Sequence, residues 1–413
     1  MESLNKKNVI WNIIGSTFSA FNSLLFTIIV TRINGIDDAG IFTYCFATSC
    51  LLYFIGNYCG RAFQVTDTSG KNYDTDYIYN RIITCILMMI VAIVFSLIKK
   101  YDLNKSLILI ILSGYKCLEA FAESVYAIIQ KNNQLYKVGI SLFAKAILSI
   151  IIFAITDYIT KSLAVSCLTI VVINVIGILF YDLKNLKKVN FNKSTFNKNA
   201  IINIFKIGFF TFVLTFLGTY LINTSRYAID DLSTNSFQTI YGIIIMPATF
   251  MGIIGQYIIQ PALVSLSNYI KDKNYKNLKD LIIKLVEIVL LIGIVVIIVA
   301  FLLEKPVLEL VYNVQLENYV LPMMIIIVGS IFYALSILLS TILIAMRKTK
   351  SQAVTYLIVA IISTLLAYSL VEKMEIIGAS LTYSITMIIV TVAFAIYTII
   401  KMKKYSNEWK ENK

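Results

Sequence analysis

Apolar residues in this chain come in long blocks rather than in alternating or amphipathic patterns. A helical block of about 20 apolar residues matches the hydrocarbon core of a bilayer. Such blocks occupy 9–31, 40–58, 78–98, 106–130, 138–156, 162–182, 203–224, 240–264, 281–303, 320–346, 354–371 and 377–400. The pattern predicts an all-α membrane protein with about twelve transmembrane helices. The first block is too long for a signal-peptide core and lacks a small-residue cleavage site, so it reads as a retained helix.

Composition agrees. Of 413 residues, 58% are hydrophobic and only 14% charged. Mean hydropathy is +0.80. A soluble domain carries about 25% charged residues, so this chain needs lipid as its solvent. The six cysteines lie in or beside apolar blocks without metal-ligand spacing, and there is no histidine. They read as small buried hydrophobes, and His-based catalysis and His proton relays are excluded. No Walker A, G-x-S-x-G or H-E-x-x-H sequence occurs. The expectation is a protein that is not an enzyme and has no resident cofactor.

The polar segments between blocks alternate in charge. With the N-terminus placed inside, 26 Lys and Arg fall on the inner side and eight on the outer. That asymmetry places both termini in the cytoplasm. It also explains the net charge of +13 as topogenic and lipid-facing, with no nucleic-acid partner. The longest outer loop then runs over about 304–319, too short for the glycan chemistry of a polymerase.

The longest polar stretch, 183–202, is rich in Asn and Lys and reads as a linker between two halves, 1–190 and 191–413. A weak echo supports the division. Arg32, then Ile36-Asp37-Asp38 and Tyr44, recurs as Arg226, then Ile229-Asp230-Asp231 and Tyr241. Parallel repeats of six helices place a substrate site at their interface.

Ionisable residues at membrane depth are costly and mark function by default. At 100° per residue, Lys116, Glu119, Glu123, Tyr126 and Gln130 fall within an arc of about 80°. This stripe must face other helices or water. Glu123 and Lys145 both lie about 12 Å from the cytoplasmic end of their helices. They suit a buried ion pair, or a hydrated cavity where lysines attract an anion and a carboxylate exchanges H⁺ or Na⁺. Glu119 and Glu123 are the candidate ion-coupling residues. Arg32 and Arg226 close the outer ends of two helices, suited to a phosphate or to snorkelling toward lipid. Pro247 and Pro261 predict a kinked helix. Asn22, Asn57, Asn174 and Asn223 are candidates for bonds between helices.

The segment Gly60-Arg61-Ala62-Phe63-Gln64-Val65-Thr66-Asp67, with Tyr77 and Arg81-Ile82-Ile83-Thr84, resembles the loop between the second and third helices of Wzx-type polysaccharide flippases. So do Arg226–Asp230 with Tyr241, Gln260-Pro261-Ala262-Leu263, and Glu375-Ile376-Ile377-Gly378-Ala379-Ser380. The resemblance spans the whole chain and implies membership of the multidrug/oligosaccharidyl-lipid/polysaccharide (MOP) exporter superfamily. It implies two six-helix lobes around a central cavity and alternating access. It implies movement of undecaprenyl-diphosphate-linked oligosaccharide repeat units (O-antigen or capsule) from the cytoplasmic to the outer leaflet of a bacterial inner membrane. The family cavity is cationic. Its candidates here are Arg32, Lys116, Lys145 and Arg226, with Arg61 and Arg81 at the cytoplasmic mouth and Gln64 and Asp67 in the matching segment. Glu119 and Glu123 depart from that pattern by neutralising the two intramembrane lysines. Implied partners are the lipid-linked oligosaccharide diphosphate, membrane lipids, a polysaccharide polymerase and glycosyltransferases. The alternative reading is an ion-coupled multidrug exporter of the same superfamily.

Overall fold

A computed structural model describes residues 2–67, 72–259 and 262–410. These contain helices and no strand. In chain order they are α1 (Glu2–Ile33), α2 (Ile36–Gly56), α3 (Gly60–Thr66), α4 (Asp74–Ile98), α5 (Leu103–Lys131), α6 (Leu135–Thr160), α7 (Leu163–Gly177) and α8 (Leu183–Leu186). They continue as α9 (Lys198–Leu232), α10 (Asn235–Ile244), α11 (Met246–Ile259), α12 (Leu263–Lys271), α13 (Tyr275–Tyr312), α14 (Val320–Ala345) and α15 (Thr349–Lys410). A π-helical turn, Ile178–Asp182, joins α7 to α8.

Among the described residues, ten helices are long and apolar enough to cross a membrane. Their outer faces carry bare hydrocarbon. Leu97, Phe180 and Leu310 are 70%, 73% and 75% exposed. Bare apolar surface of this extent, spread over many helices, is covered by lipid. The chain is a multi-pass membrane protein. α5 is absent from the ten because its stripe of charges interrupts its apolar window. α15 counts once yet folds back on itself. At Glu375 the backbone leaves the helical region, with φ 48° and ψ −122°. The hydroxyls of Ser363 and Thr386 then meet at 2.7 Å, and a Cβ on Gly378 would overlap the Leu370 carbonyl oxygen. Positions on either side of Glu375 touch, so 349–374 and 376–410 are the arms of a helical hairpin. The sequence blocks 354–371 and 377–400 are those arms.

Helix ends follow local chemistry. Gly35 takes φ 95° between α1 and α2, a conformation that side chains resist. Asp102 caps α5 by accepting the N–H groups of Asn104 and Lys105. Asn274 caps α13 in the same way through Asn277. α10 ends at Ile244 and Pro247 sits in the first turn of α11, where its missing N–H has no cost. Pro261 and Gln260 lie outside the described residues.

The chain folds as two compact units, Met1–Phe216 and Leu217–Lys413. Within the first, α1 packs along α6 at a glycine pair. A Cβ on Gly139 would overlap the Trp11 carbonyl oxygen, and one on Gly15 would overlap that of Gly139. Only backbone fits there, as in small-residue contacts between membrane helices. The polar stretch after α8 is tied down. Lys131 pairs with Asp74 at 2.8 Å. Asp74 also accepts the Asn192 N–H, and Ser194 donates to Asp76. The start of α9 packs on the α2–α3 corner, where the Tyr58 hydroxyl donates to the Phe205 carbonyl at 2.7 Å. Within the second unit, α14 packs against α11, α13 and α15.

Candidate functional site

The stripe on α5 faces inward. Lys116, Glu119, Glu123 and Tyr126 line a cavity of about 340 Å³ in the first unit. Its other walls include Ser16, Ser19 and Asn22 of α1, Tyr53 of α2, Arg61 of α3, Lys145 of α6 and Asn174 of α7. Gln130, the last member of the predicted stripe, does not line it.

Arg61 reaches the cavity because the chain turns sharply before α3. Cys59 and Gly60 both take positive φ, 69° and 63°, and redirect the backbone so that α3 packs beside α5. The Arg61 Nε lies 3.5 Å from a Glu123 carboxylate oxygen, and its Nη1 is buried without a partner. One helical turn away, the Lys116 ammonium lies 2.7 Å from Glu119. The Tyr115 hydroxyl donates to the other Glu119 oxygen at 2.6 Å. Lys116 also sits over the rings of Tyr115 and Phe46, 4.7 and 4.9 Å from their centroids. Such cation–π contacts hold a cation that water does not fully solvate.

Lys145 corrects the sequence reading. It does not pair with Glu123. Its ammonium lies 3.0 Å from Asp182, whose side chain is only 1% exposed. Lys145 also donates to the Tyr126 hydroxyl at 2.5 Å. That hydroxyl donates in turn to Asp182, and Ser141 donates to the second Asp182 oxygen at 2.6 Å. Asp182 ends the π-helical turn. The extra residue of a π turn shifts the helix register, which brings this carboxylate inward. The only sequence signal was an acidic residue closing an apolar block.

Three cations, Arg61, Lys116 and Lys145, therefore line the cavity with two carboxylates, and a third carboxylate stands behind Lys145. Each cation has an acidic partner, so the cavity is charge-balanced rather than cationic.

The remaining sequence candidates lie elsewhere. Arg81 was expected at the cytoplasmic mouth. It is buried instead, and its Nη1 donates to the Gly56 carbonyl at 2.8 Å, beside the Thr84 hydroxyl on the same oxygen. It closes the end of α2. Gln64 is buried and donates to the Ser124 carbonyl. Asp67 accepts from Tyr77 at 2.6 Å and from Asn72. Arg32 is exposed near the end of α1. Arg226 belongs to the second unit, buried 5.7 Å from the Tyr241 ring. In the Arg–Asp–Asp echo the tyrosines match best, since Tyr44 and Tyr241 are both fully buried. The backbone differs, because α1 breaks at Gly35 whereas α9 continues through Asp230 and Asp231. Of the four asparagines, Asn57, Asn174 and Asn223 each donate within four residues along the chain rather than across helices. Asn22 lines the cavity, and its carbonyl oxygen is buried without a partner.

No protein-family model matches the sequence. The lipid II flippase MurJ, in an inward closed conformation, superposes with a TM-score of 0.72 over 97% of this chain and 90% of that one, at 16% identity. An inward-facing multidrug resistance MATE family transporter of the MOP superfamily superposes with a TM-score of 0.70 over 96% and 99%, at 10% identity. The chain has the MOP-superfamily fold. CapF, a capsular polysaccharide biosynthesis protein of Staphylococcus aureus, is 25% identical over 394 residues, covering 94% of this chain and 98% of that protein. The resemblance read from sequence motifs thus extends along nearly the whole chain.

Proposed function

We propose that this protein is a flippase that moves undecaprenyl-diphosphate-linked oligosaccharide repeat units from the cytoplasmic to the outer leaflet by alternating access. The observation that carries the reading is the polar cavity walled by membrane helices, with Arg61, Lys116 and Lys145 around it. Its chain-length similarity to a capsular polysaccharide biosynthesis protein favours a sugar-bearing substrate. A sugar headgroup cannot cross about 30 Å of hydrocarbon with its hydroxyls unsatisfied. Ser16, Ser19, Asn22 and the edges of Tyr53 and Tyr115 offer those hydroxyls partners, while the lipid tail stays in the bilayer.

Charge balance suggests how binding is linked to an ion. A diphosphate drawing Arg61 and Lys116 to itself leaves Glu123 and Glu119 without their cations. Each carboxylate then takes up H⁺ or Na⁺, because an unpaired charge in this setting is costly. Lys145, held by Asp182 and the Tyr126 hydroxyl, stays in place as a fixed cation. Arg226 is the corresponding buried cation of the second unit, and Arg32 meets phosphate at the outer surface. In this reading Gln64, Asp67 and Arg81 support the α2–α4 corner that aims Arg61. The moving bodies are the two six-helix halves, with the start of α9 held on the first. The protein sits in a bacterial cytoplasmic membrane with both termini inside. There it receives lipid-linked units from glycosyltransferases and delivers them to a polymerase.

The test is a leaflet-resolved flipping assay in proteoliposomes with a defined lipid-linked glycan. Outward movement that requires the protein, and that falls when Arg61 or Lys116 is replaced by Gln, is expected. A second reading, export of cationic drugs, draws on the carboxylates Glu119 and Glu123 in the same wall. Drug efflux by cells carrying the chain, with no glycan flipping, would favour it.

A further inference from the structure

Glu304 plays no part in the cavity described above. It belongs to the second unit, on α13, where the apolar pattern places it at the start of an outer loop. α13 instead continues to Tyr312 and carries Glu304 into packed surroundings. Its side chain is 7% exposed. Both carboxyl oxygens are buried without a hydrogen-bond partner. Beside it runs a groove of about 410 Å³, walled by Pro247, Phe250 and Met251 of α11, Val299 and Leu303 of α13, and Ile327 of α14.

Among the described residues, no other titratable side chain lines this groove. On α13, Lys305 is committed to Glu317 at 3.5 Å. Glu309 accepts the Leu316 N–H at 2.7 Å. Tyr312 is buried with its hydroxyl unpartnered. α11 and α14 contribute only apolar residues to the groove. α10, α12 and α15 also touch α13 but add no residue to the groove.

A lone carboxylate among hydrocarbon side chains, with neither cation nor donor, is less stable than the neutral acid. Two residues on, Pro306 lies inside the same helix. It removes a backbone donor and leaves the Leu302 carbonyl without its helical partner, a point where membrane helices bend. A buried acid thus stands next to a turn that can open.

We propose that Glu304 is a proton-binding site of the second unit, protonated while packed against the groove and deprotonated when bending at Pro306 admits water. As a step in transport this rests on the flippase reading, and it names the coupling ion as a proton. It adds a proton site in the second unit to the ion-binding carboxylates Glu119 and Glu123 of the first.

The experiment uses the full chain in lipid. Infrared spectroscopy of the wild type at neutral pH is expected to contain a protonated-carboxyl band that shifts in D₂O. Glu304→Gln should lose that band and Glu304→Asp should restore it. In proteoliposomes, an imposed pH gradient should accelerate flipping several-fold in the wild type and in Glu304→Asp, and much less in Glu304→Gln. No such band in the wild type, or the same band in Glu304→Gln, overturns the site. A gradient response unchanged in Glu304→Gln overturns the coupling. Wild-type vesicles that flip no glycan sink the flippase reading instead, and the infrared result still decides the proton site.

Discussion

Asp182 and Lys145 are buried deeply enough that losing one costs more than losing both. Replacing Asp182 by Asn leaves an ammonium in a site that water barely reaches, and breaking a buried pair costs about 3–5 kcal/mol. Asp182→Asn is therefore expected to lower the unfolding temperature in detergent. Lys145→Met with Asp182→Leu is expected to recover most of that loss, since the cost lies in the unpaired charge. Equal destabilisation in single and double variants would contradict this. The Arg61–Glu123 and Lys116–Glu119 pairs differ, because their members are 13–25% exposed and can exchange partners. Glu119→Gln and Glu123→Gln should each release a cation for an incoming anion. Inorganic pyrophosphate, measured by calorimetry on the protein in micelles, should bind several-fold more tightly to each variant than to the wild type. Unchanged or weaker binding would remove the counter-ion role.

At the scale of elements, the π-helical turn decides which face Asp182 presents. Phe180 is the most exposed residue of that turn. Deleting it would return the segment to plain α-helical spacing and take Asp182 out of its place in the π turn. The deletion should destabilise the protein by a similar amount to Asp182→Asn, read from thermal unfolding. It should add nothing to Asp182→Asn when the two are combined. The α1–α6 contact is a second element-scale device. Gly139→Val would place a side chain against the Trp11 backbone, which cannot step aside without separating the helices. The periodicity of the chain made α5 readable as a helix with one polar face. The same periodicity could not announce a π turn, because inserting one residue leaves no mark in hydropathy. That is why the stripe was legible while the partner of Lys145 was not.

At the scale of the whole molecule, the inner-side excess of Lys and Arg predicts both termini in the cytoplasm. Reporter fusions at each end, or accessibility of introduced cysteines in right-side-out vesicles, should report an inside location for both. An outside signal from either end would overturn the topology. The blocks of apolar residues by themselves determined a helical membrane protein with about twelve crossings, because each crossing must satisfy its own backbone within its own segment. The motif around Arg61 pointed to the superfamily, and Lys116, Glu119 and Glu123 pointed to a passage. Tertiary structure alone decided the pairings: Lys145 with Asp182, Arg61 with Glu123, and Arg81 turned away to the end of α2. It alone carried Glu304 from a supposed loop into an apolar groove. Helices form from contacts a few residues apart, which a sequence displays. The Lys145–Asp182 and Arg61–Glu123 pairs join residues tens of positions apart, and such partners depend on helix rotation and register.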